Sequence, residues 1–356
     1  MSGSRISKVP RYCETIAFKG FKISWAGPFY DDVCFGSEDG RLKFTTPGGV
    51  ELGGTDRSVS DSKEAVNGLA TIGYSQAVST RSDVTFMWNQ FVPRGSKKSA
   101  TLHSGTHGVI GTQRGYFIAP MGELGLMVVE AKDKSRQDVF VSNDRESPFY
   151  FYRTIALPTA DYNDVLVSAV RSGGIVAGEL SVDARSLRAS TIAPDGIDVV
   201  DICGLSNSLA TAALGRNGTL MLFQDILSDT EPRSLKFSSI EGVAYRLMCA
   251  RGHIFVLTSK GFYVLANLAK KFLEGQIHDR NAMQIVSMKM SAVDANVFKN
   301  EFVYIVNDES SVYRIDLSEV ENDISNIDQK EEAQVSLAYV RRSNSLQSKR
   351  KMLQPT

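Results

Sequence analysis

Short apolar runs separated by polar turns recur along the chain, and each group of three runs predicts a three-stranded antiparallel meander. One group occupies residues 198–226, where apolar runs at 209–214 and 219–223 flank Arg216-Asn217-Gly218 and an earlier run covers 199–203. Asn-Gly suits a tight hairpin because both residues tolerate positive φ. A single meander cannot bury both of its faces, so its recurrence predicts a stacked or radial repeat fold.

Seven such units follow one another along the chain. Aligned on the second residue of the turn between their last two runs, they fall at Gly40, Asp83, Gly125, Gly174, Gly218, Gly261 and Ser311, with steps of 42 to 50 residues. A step of about 45 residues is typical of propeller blades. Further short runs at 100–103, 138–142, 234–237 and 283–288 supply outer strands. The sequence therefore predicts an all-β fold, a seven-bladed β-propeller of four-stranded antiparallel blades.

The two ends of the repeat array predict how the ring closes. The seventh unit lacks a fourth run, whereas residues 13–18 (CETIAF) form an extra strand-like run before the first unit. We expect this N-terminal strand to close the ring as the outermost strand of the last blade, because closure hides sheet edges. The predicted organisation is an N-terminal tail at 1–11, a propeller at 12–317 and a charged, largely disordered C-terminal tail at 318–356. Pro120 falls inside the third unit and is expected to lie off the hydrogen-bond ladder.

Over residues 12–317 the chain resembles the WD-repeat propellers, in having seven units of this length with a polar turn between the second and third strands. The family's Trp-Asp pair is replaced by Trp88-Asn89 in the second unit and by Ile315-Asp316 or Phe223-Gln224 elsewhere, and its Gly-His pair is not evident. The resemblance implies a rigid disc that holds other proteins on its loop-bearing faces, without chemistry of its own. It is a resemblance of architecture, and a fold does not by itself determine a function.

Two segments depart from the strand pattern. Residues 266–276 (ANLAKKFLEGQ) have apolar residues at helical spacing with Gly275 as a stop, which predicts a short helix. Beyond Leu317 an acidic stretch is followed by five basic residues, Arg341, Arg342, Lys349, Arg350 and Lys351. These are candidate partner-docking residues, and the serines between them predict regulation by phosphorylation. A solvated end without a role is the alternative. The apolar residues 335–340 between the acidic and basic stretches either pack on the ring or dock on a partner.

Composition and charge exclude several classes of protein. The 40 basic and 40 acidic side chains cancel, so no global field attracts the chain to nucleic acid, and nucleic-acid binding is not expected. No run of about 18 apolar residues occurs, and the N-terminus lacks the apolar core of a signal peptide. The four cysteines are isolated, which is typical of a reducing compartment. We therefore expect a soluble, intracellular, cytoplasmic protein without membrane insertion.

Candidate chemistry is sparse. His103 and His107 have a spacing that serves zinc only on a helix, and they flank a loop-forming Ser-Gly-Thr. Asp161, Asn163 and Asp164 offer oxygen ligands but lack the further ligands and the glycine of a calcium loop. Nucleophile elbows, P-loops and dinucleotide fingerprints do not occur. The sequence predicts no catalytic, cofactor or metal site and no small-molecule ligand.

Two functions remain for the predicted fold. The first is a non-enzymatic platform or scaffold subunit that binds one or more proteins. The alternative is a propeller enzyme, of hydrolase or lyase type, whose site at the mouth of the central channel is built from single residues of several blades.

Two further groups of residues have expected places in this fold. The basic loops at 93–99 and 131–138 are either solvated or in contact with an acidic partner. Trp25 and Trp88 are expected in the core between blades.

Overall fold

The computed structural model describes residues 13–325, apart from gaps at 53–56, 59–62, 89–95, 102–107, 133–136, 141–149, 160–163, 171–173, 182–185, 193–196, 207, 238–239 and 278–284. The chain divides into two compact units, Met1–Ile315 and Asp316–Thr356. The first unit holds the sheets. In the second, residues 317–325 are helical, so the predicted tail begins with a helix. The rest of that tail, with the five candidate docking residues and residues 335–340, lies outside the described residues.

Within the described residues the strands form seven four-stranded sheets. Sheet 1 contains β2 (Ile23–Phe29), β3 (Asp32–Ser37), β4 (Arg41–Thr45) and β5 (Arg57–Ser58). Sheet 2 contains β6 (Val66–Ile72), β7 (Ser75–Thr80), β8 (Asp83–Trp88) and β9 (Ser96–Thr101). Sheet 3 contains β10 (Ile110–Gly111), β11 (Tyr116–Pro120), β12 (Leu126–Glu130) and β13 (Gln137–Phe140). Sheet 4 contains β14 (Phe151–Leu157), β15 (Asp164–Val170), β16 (Ile175–Ser181) and β17 (Ser186–Ile192).

The remaining three sheets follow the same order. Sheet 5 contains β18 (Val199–Gly204), β19 (Thr211–Gly215), β20 (Thr219–Phe223) and β21 (Arg233–Lys236). Sheet 6 contains β22 (Ala244–Ala250), β23 (His253–Thr258), β24 (Gly261–Leu265) and β25 (Ile285–Met288). Sheet 7 contains β26 (Ala292–Phe298), β27 (Phe302–Asn307) and β28 (Val312–Asp316), with β1 (Cys13–Ile16) antiparallel to β28 at its edge. The N-terminal run thus pairs with the last strand of the array.

The meanders predicted from the apolar runs are present, and the differences lie in the turns. In the hairpin between β19 and β20 only Gly218 has positive φ, at 79°, because the loop has three residues and Asn217 precedes the left-handed position. Ser310 takes the equivalent place in sheet 7 at φ 59°, one residue before the aligned Ser311. Asp83 belongs to β8 rather than to the turn.

Two further expectations from the sequence are corrected. Pro120 lies on the ladder, opposite Leu126. Its missing N–H is tolerated because, among the described residues, the neighbouring strand β10 pairs only with residues 117 and 118, so the β10 side of β11 is an open edge at Pro120. The basic segment 93–99 is not wholly a loop, because β9 begins at Ser96. The predicted outer strands at 100–103, 138–142, 234–237 and 283–288 overlap β9, β13, β21 and β25.

Apolar side chains pack between neighbouring sheets. The cluster between sheets 1 and 2 joins Trp25, Cys34 and Leu42 to Val66, Leu69 and Val78. Clusters of the same kind lie between sheets 2 and 3, 3 and 4, 4 and 5, 5 and 6, and 7 and 1. Trp25 is therefore a core residue between sheets, as predicted, whereas the Trp88 side chain lies outside the described part of the structure. This packing holds the sheets together through their faces.

The predicted helix is confirmed as α1 (Leu268–Leu273), with Gly275 beyond its end at φ 69°. Leu268 and Ala269 are buried in the cluster between sheets 5 and 6. The helix follows the third strand of sheet 6 and so interrupts the connection to the fourth, as its position in the sequence indicates. No described helix is long and apolar enough to cross a membrane.

Candidate functional site at the central cavity

We call the first strand of each meander its first strand; these are β2, β6, β10, β14, β18, β22 and β26. Most of them contain a β-bulge. In six of them the register skips from the first residue to the third, at Ile23/Trp25, Val66/Gly68, Phe151/Arg153, Val199/Asp201, Ala244/Arg246 and Ala292/Asp294. A bulge bends a strand and re-aims the side chains beside it. We call this the bulge end of the first strands. The hairpins that join the first strands to the second strands form the opposite end, which we call the turn end.

At the bulge end, hydroxyl groups join one sheet to the next. Ser24 Oγ donates to the Val66 carbonyl at 2.9 Å, and the hydroxyls of Tyr152 and Tyr245 donate to the carbonyls of Val199 and Ala292. In all three cases the donor is the bulged residue and the acceptor is the first residue of the next sheet's first strand. The bulge therefore supplies a repeated hydrogen bond between sheets.

The third residues of four consecutive first strands form a chain of ion pairs. Arg153 Nε lies 2.9 Å from Asp201 Oδ1, and Arg246 Nη1 lies 3.4 Å from Asp201 Oδ2. Arg246 Nε in turn lies 2.7 Å from Asp294 Oδ1. Only 1% of the Asp201 side chain is exposed, and its two oxygens also accept hydrogen bonds from the Ile202 and Leu247 amides at 2.9 and 2.7 Å. A buried carboxylate held by two guanidinium groups and two amides is fully satisfied.

Asn296 extends this chain to sheet 1. Its Oδ1 accepts a hydrogen bond from Arg246 Nη2 at 2.7 Å, and its Nδ2 donates to the Ala26 carbonyl at 2.7 Å. Polar contacts therefore run without interruption through the first strands of sheets 4, 5, 6, 7 and 1.

Burial controls the protonation of the two carboxyl groups. It raises the pKa of Asp201, although Arg153 and the Leu247 and Ile202 amides favour the charged form. Burial also raises the pKa of Asp294, to about 6, against the opposing effect of Arg153 and of hydrogen bonds from Ala295 and Asn296. The Asp294 carboxyl therefore changes its protonation state close to neutral pH.

A cavity of about 700 Å³ lies between the first strands and is bounded by residues from all seven of them. The charged side chains in its described wall are Arg153 and Arg246, and the wall also contains Asn67, Asn296 and the thiols of Cys203 and Cys249. Burial raises the pKa of Cys249 to about 11 and that of Cys203 well above its ordinary value, so both thiols are protonated at neutral pH. The wall can therefore bind through hydrogen-bond donors, whereas neither thiol is an activated nucleophile.

The turn end is linked by more exposed contacts. Arg251 Nε donates to the Asn300 carbonyl at 2.6 Å, Lys299 pairs with Asp31, and the Tyr30 hydroxyl donates to the Gly73 carbonyl at 2.5 Å. These contacts join the hairpins of sheets 6, 7, 1 and 2 in order. Tyr30, Arg251, Lys299 and Asn300 have φ between 46° and 57°, the left-handed conformation that tight hairpins require.

Two tyrosines mark the surface at the turn end of sheets 1 and 2. Tyr74 is 70% exposed and Tyr30 is 38% exposed, and Tyr30 also borders the central cavity. The two phenols interact electrostatically, and burial of Tyr30 together with this interaction raises its pKa. Phe29 packs against the Tyr30 ring with the ring centroids 4.8 Å apart, which holds the aromatic surface in place.

The residues predicted from motifs contribute no described side chain to the wall of this cavity. His103, His107, Asp161 and Asn163 lie outside the described residues, and Asp164 is buried at the start of β15. Among described residues no group of three or more His, Cys, Asp and Glu could hold a metal ion. Sequence reasoning missed Arg153, Asp201, Arg246 and Asp294. The available signal was a charged residue at the third position of an apolar first strand in four successive units.

Comparison with solved structures identifies the architecture. The chain is similar to the β-propeller domain of Cps50 (Swd1) from Myceliophteria thermophila, with a TM-score of 0.63 and 10% sequence identity over 85% of this chain and 99% of that one. It is also similar to the WD40 β-propeller domain of Doa1, with a TM-score of 0.61 and 11% identity over 85% of this chain and 94% of that one. No protein-family model and no curated protein sequence matches it. The structural likeness confirms the predicted WD-repeat-like propeller architecture, and at this identity it shows the fold alone.

Proposed function

We propose that this WD-repeat-like β-propeller is a non-enzymatic platform for protein–protein interaction. The observation that carries the proposal is the pair of exposed tyrosines, Tyr30 and Tyr74, at the turn end of two adjacent sheets. Tyrosine is enriched at the centre of protein interfaces because it supplies a large, stiff contact area with a polar tip. Sheets packed through their faces keep such a surface rigid, which lowers the entropic cost of binding.

Affinity capture from the native cell, followed by mass spectrometry, tests this function. The full chain is compared with Tyr74→Ser and with Val293→Ser, a matched variant at the bulge end whose side chain is 55% exposed in the wild type. We expect specific partners that the Tyr74 variant loses and the Val293 variant retains. Capture of no protein above a bait-free control contradicts the platform, and equal capture by both variants contradicts the assigned surface.

The alternative, an enzyme with a site at the mouth of the channel, finds less support. Its described wall pairs two arginines with asparagines and protonated thiols, and no described wall residue is a carboxylate or histidine suited to general acid–base work at neutral pH. Turnover of a hydrolase or lyase substrate panel by the purified chain, lost in Arg153→Gln, would establish the enzyme instead.

We further propose that the seven sheets are the blades of one ring, which the N-terminal strand closes. Supporting this, each first strand contacts the first strand of the next sheet, and β26 contacts β2. Deleting residues 1–19 removes β1 and exposes the edge of β28, so we expect a clearly lower melting temperature. Deleting residues 326–356 is the control, and we expect a smaller effect. An N-terminal deletion that melts with the full chain would show that closure does not depend on this strand.

The intracellular location and the docking role of the basic tail stay proposals. Arg341, Arg342, Lys349, Arg350 and Lys351 form a cluster that suits an acidic partner, and phosphorylation of the intervening serines would offset its charge. A chain ending at residue 325 should keep its fold and lose a partner whose binding is sensitive to salt. If the shortened chain captures the same partners as the full chain, the tail has no role in this function.

A further inference from the structure

We infer that the central cavity accepts a carboxylate side chain from an acidic segment of a partner protein, bound between Arg153 and Arg246. This inference rests on the proposed function, because it names the chemistry by which the platform recognises one partner.

The arginines face the cavity and the carboxylates do not. Arg153 and Arg246 bound it, whereas Asp201 and Asp294, which pair with them, are not among the described residues of the wall. The Asp201 side chain is almost completely buried. A ligand that enters between the first strands therefore meets the two guanidinium groups, whereas the Asp201 carboxylate that pairs with both of them is closed to it.

Each guanidinium group retains donors beyond its contacts with described residues. A guanidinium group has five N–H donors. Arg153 uses Nε–H to bind Asp201, and its Nη1 and Nη2 groups make no hydrogen bond to a described residue. Arg246 uses its Nε–H and one contact at each Nη. The Asp201 carboxylate holds both guanidinium groups, with Arg153 Nε at 2.9 Å and Arg246 Nη1 at 3.4 Å from its oxygens. The two groups therefore lie close together, and their remaining donors are positioned to bind a second acceptor.

The charge of the cluster favours a carboxylate over a phosphate monoester. Two arginines and two ionised aspartates sum to zero, and protonation of Asp294, whose pKa is about 6, leaves a single positive charge. A carboxylate brings one negative charge, whereas a phosphate monoester brings about 1.5 to 2. The single charge is the one that the cluster can balance in a site removed from water. Arg153 is the less compensated arginine and the more exposed, at 25% against 11% for Arg246.

Selection from a displayed library of random dodecapeptides on the full chain tests the inference. We expect the enriched peptides to share an Asp or Glu. The affinity of the best peptide is measured by fluorescence polarisation. Replacing its acidic residue with Asn or Gln should weaken binding about tenfold, because the change removes a charged hydrogen bond. The unchanged peptide should bind the Arg153→Gln variant about tenfold more weakly for the same reason. Arg216→Gln is the matched control, since Arg216 also pairs with an aspartate, Asp198, but lies outside the described wall.

Asp294→Asn keeps the inference testable if Arg153→Gln does not fold. Removing the charge of Asp294 should tighten binding of the acidic peptide, and binding to the wild type should strengthen as the pH falls from 7.5 to 6, as expected from the Asp294 pKa of about 6. The Asn variant should lose that pH dependence. The charged and titratable groups that face Asp294 or share its cluster are Arg246, Arg153, Asp201 and Tyr245. Burial raises the pKa of Asp201 as well, and it raises the pKa of Tyr245 to about 12.

Several outcomes would overturn the inference. They are enrichment of peptides without acidic residues, enrichment of none, equal binding to Arg153→Gln and the wild type, and tighter binding of a phosphoserine peptide than of its Glu counterpart. Suppose that one of these outcomes is found but the wild type still captures partners that the Tyr74 variant loses. The chain is then a platform for protein binding, and its cavity does not bind acidic peptides. If no partner is captured at all, the platform itself fails.

Discussion

The two ends of the first strands are linked in chain order by different chemistry. At the bulge end, the contacts between sheets are a buried carboxylate, two guanidinium groups and hydroxyls bound to backbone carbonyls. At the turn end, exposed side chains such as Arg251 and Lys299 reach the next hairpin. Buried charge is costly to disturb, whereas exposed contacts contribute little. The bulge end is therefore held by buried polar contacts, whereas the turn end leaves more of its side chains exposed.

The largest effect is expected at Asp201. Changing Asp201 to Asn leaves Arg153 and Arg246 without their shared anion, and breaking such a buried pair costs about 3 to 5 kcal/mol. Urea unfolding followed by circular dichroism measures this loss. The matched control is Asp198→Asn, which removes the exposed partner of Arg216 and should cost less than about 1 kcal/mol. Similar losses for the two variants would abolish the distinction between buried and exposed pairs.

The second effect is a pH dependence at the bulge end. The pKa of Asp294 is raised from 3.8 to about 6, so the folded chain binds more protons than the unfolded chain between these values. The contribution of this group to stability is therefore present below pH 4 and is lost as the pH rises through 6. The stability of the wild type relative to Asp294→Asn should fall by about 2 kcal/mol from pH 4.5 to 7. A constant difference between the two unfolding free energies would refute the raised pKa.

A smaller effect is expected from the hydroxyls of the bulged residues. Tyr245→Phe and Tyr152→Phe each remove one hydrogen bond to the next sheet and should each cost about 1 kcal/mol. The double variant should lose the sum, because the two bonds join different pairs of sheets. Thermal and chemical unfolding of the two single variants and the double variant measure these costs. A loss near zero in both single variants would show that the hydroxyls of the bulged residues do not stabilise the packing of the sheets.

The smallest effect is expected at the turn end. Arg251→Gln removes an exposed hydrogen bond to the Asn300 carbonyl and should change the free energy of unfolding by less than about 0.5 kcal/mol. The same unfolding measurement checks it. A loss as large as that of Asp201→Asn would show that both ends hold the sheets equally, and the binding surface would then have to be sought elsewhere.

The fold could be predicted from short patterns of apolar and turn-forming residues. Apolar runs such as 219–223, bounded by polar turns, indicate strands wherever they occur, because strand and turn preferences act over a few residues. Gly275 marked the end of α1 for the same reason. The two-residue β5 at Arg57 was missed, since a strand this short has no period to detect. The candidate site was missed as well, because a single Asp201 or Arg246 in an apolar run has no local signature.

Local patterns in the sequence are sufficient to predict the repeating units, the order of their strands, the position of α1 and the pairing of the N-terminal strand with β28. Each of these depends on the period of apolar residues or on the chemistry of turns, which neighbouring residues decide. The contacts among Arg153, Asp201, Arg246 and Asp294 are visible only in the folded chain, because consecutive members are 45 to 48 residues apart in the sequence. Their meeting requires adjacent sheets to present the same strand position at one level, and only packing of the sheets brings those positions together.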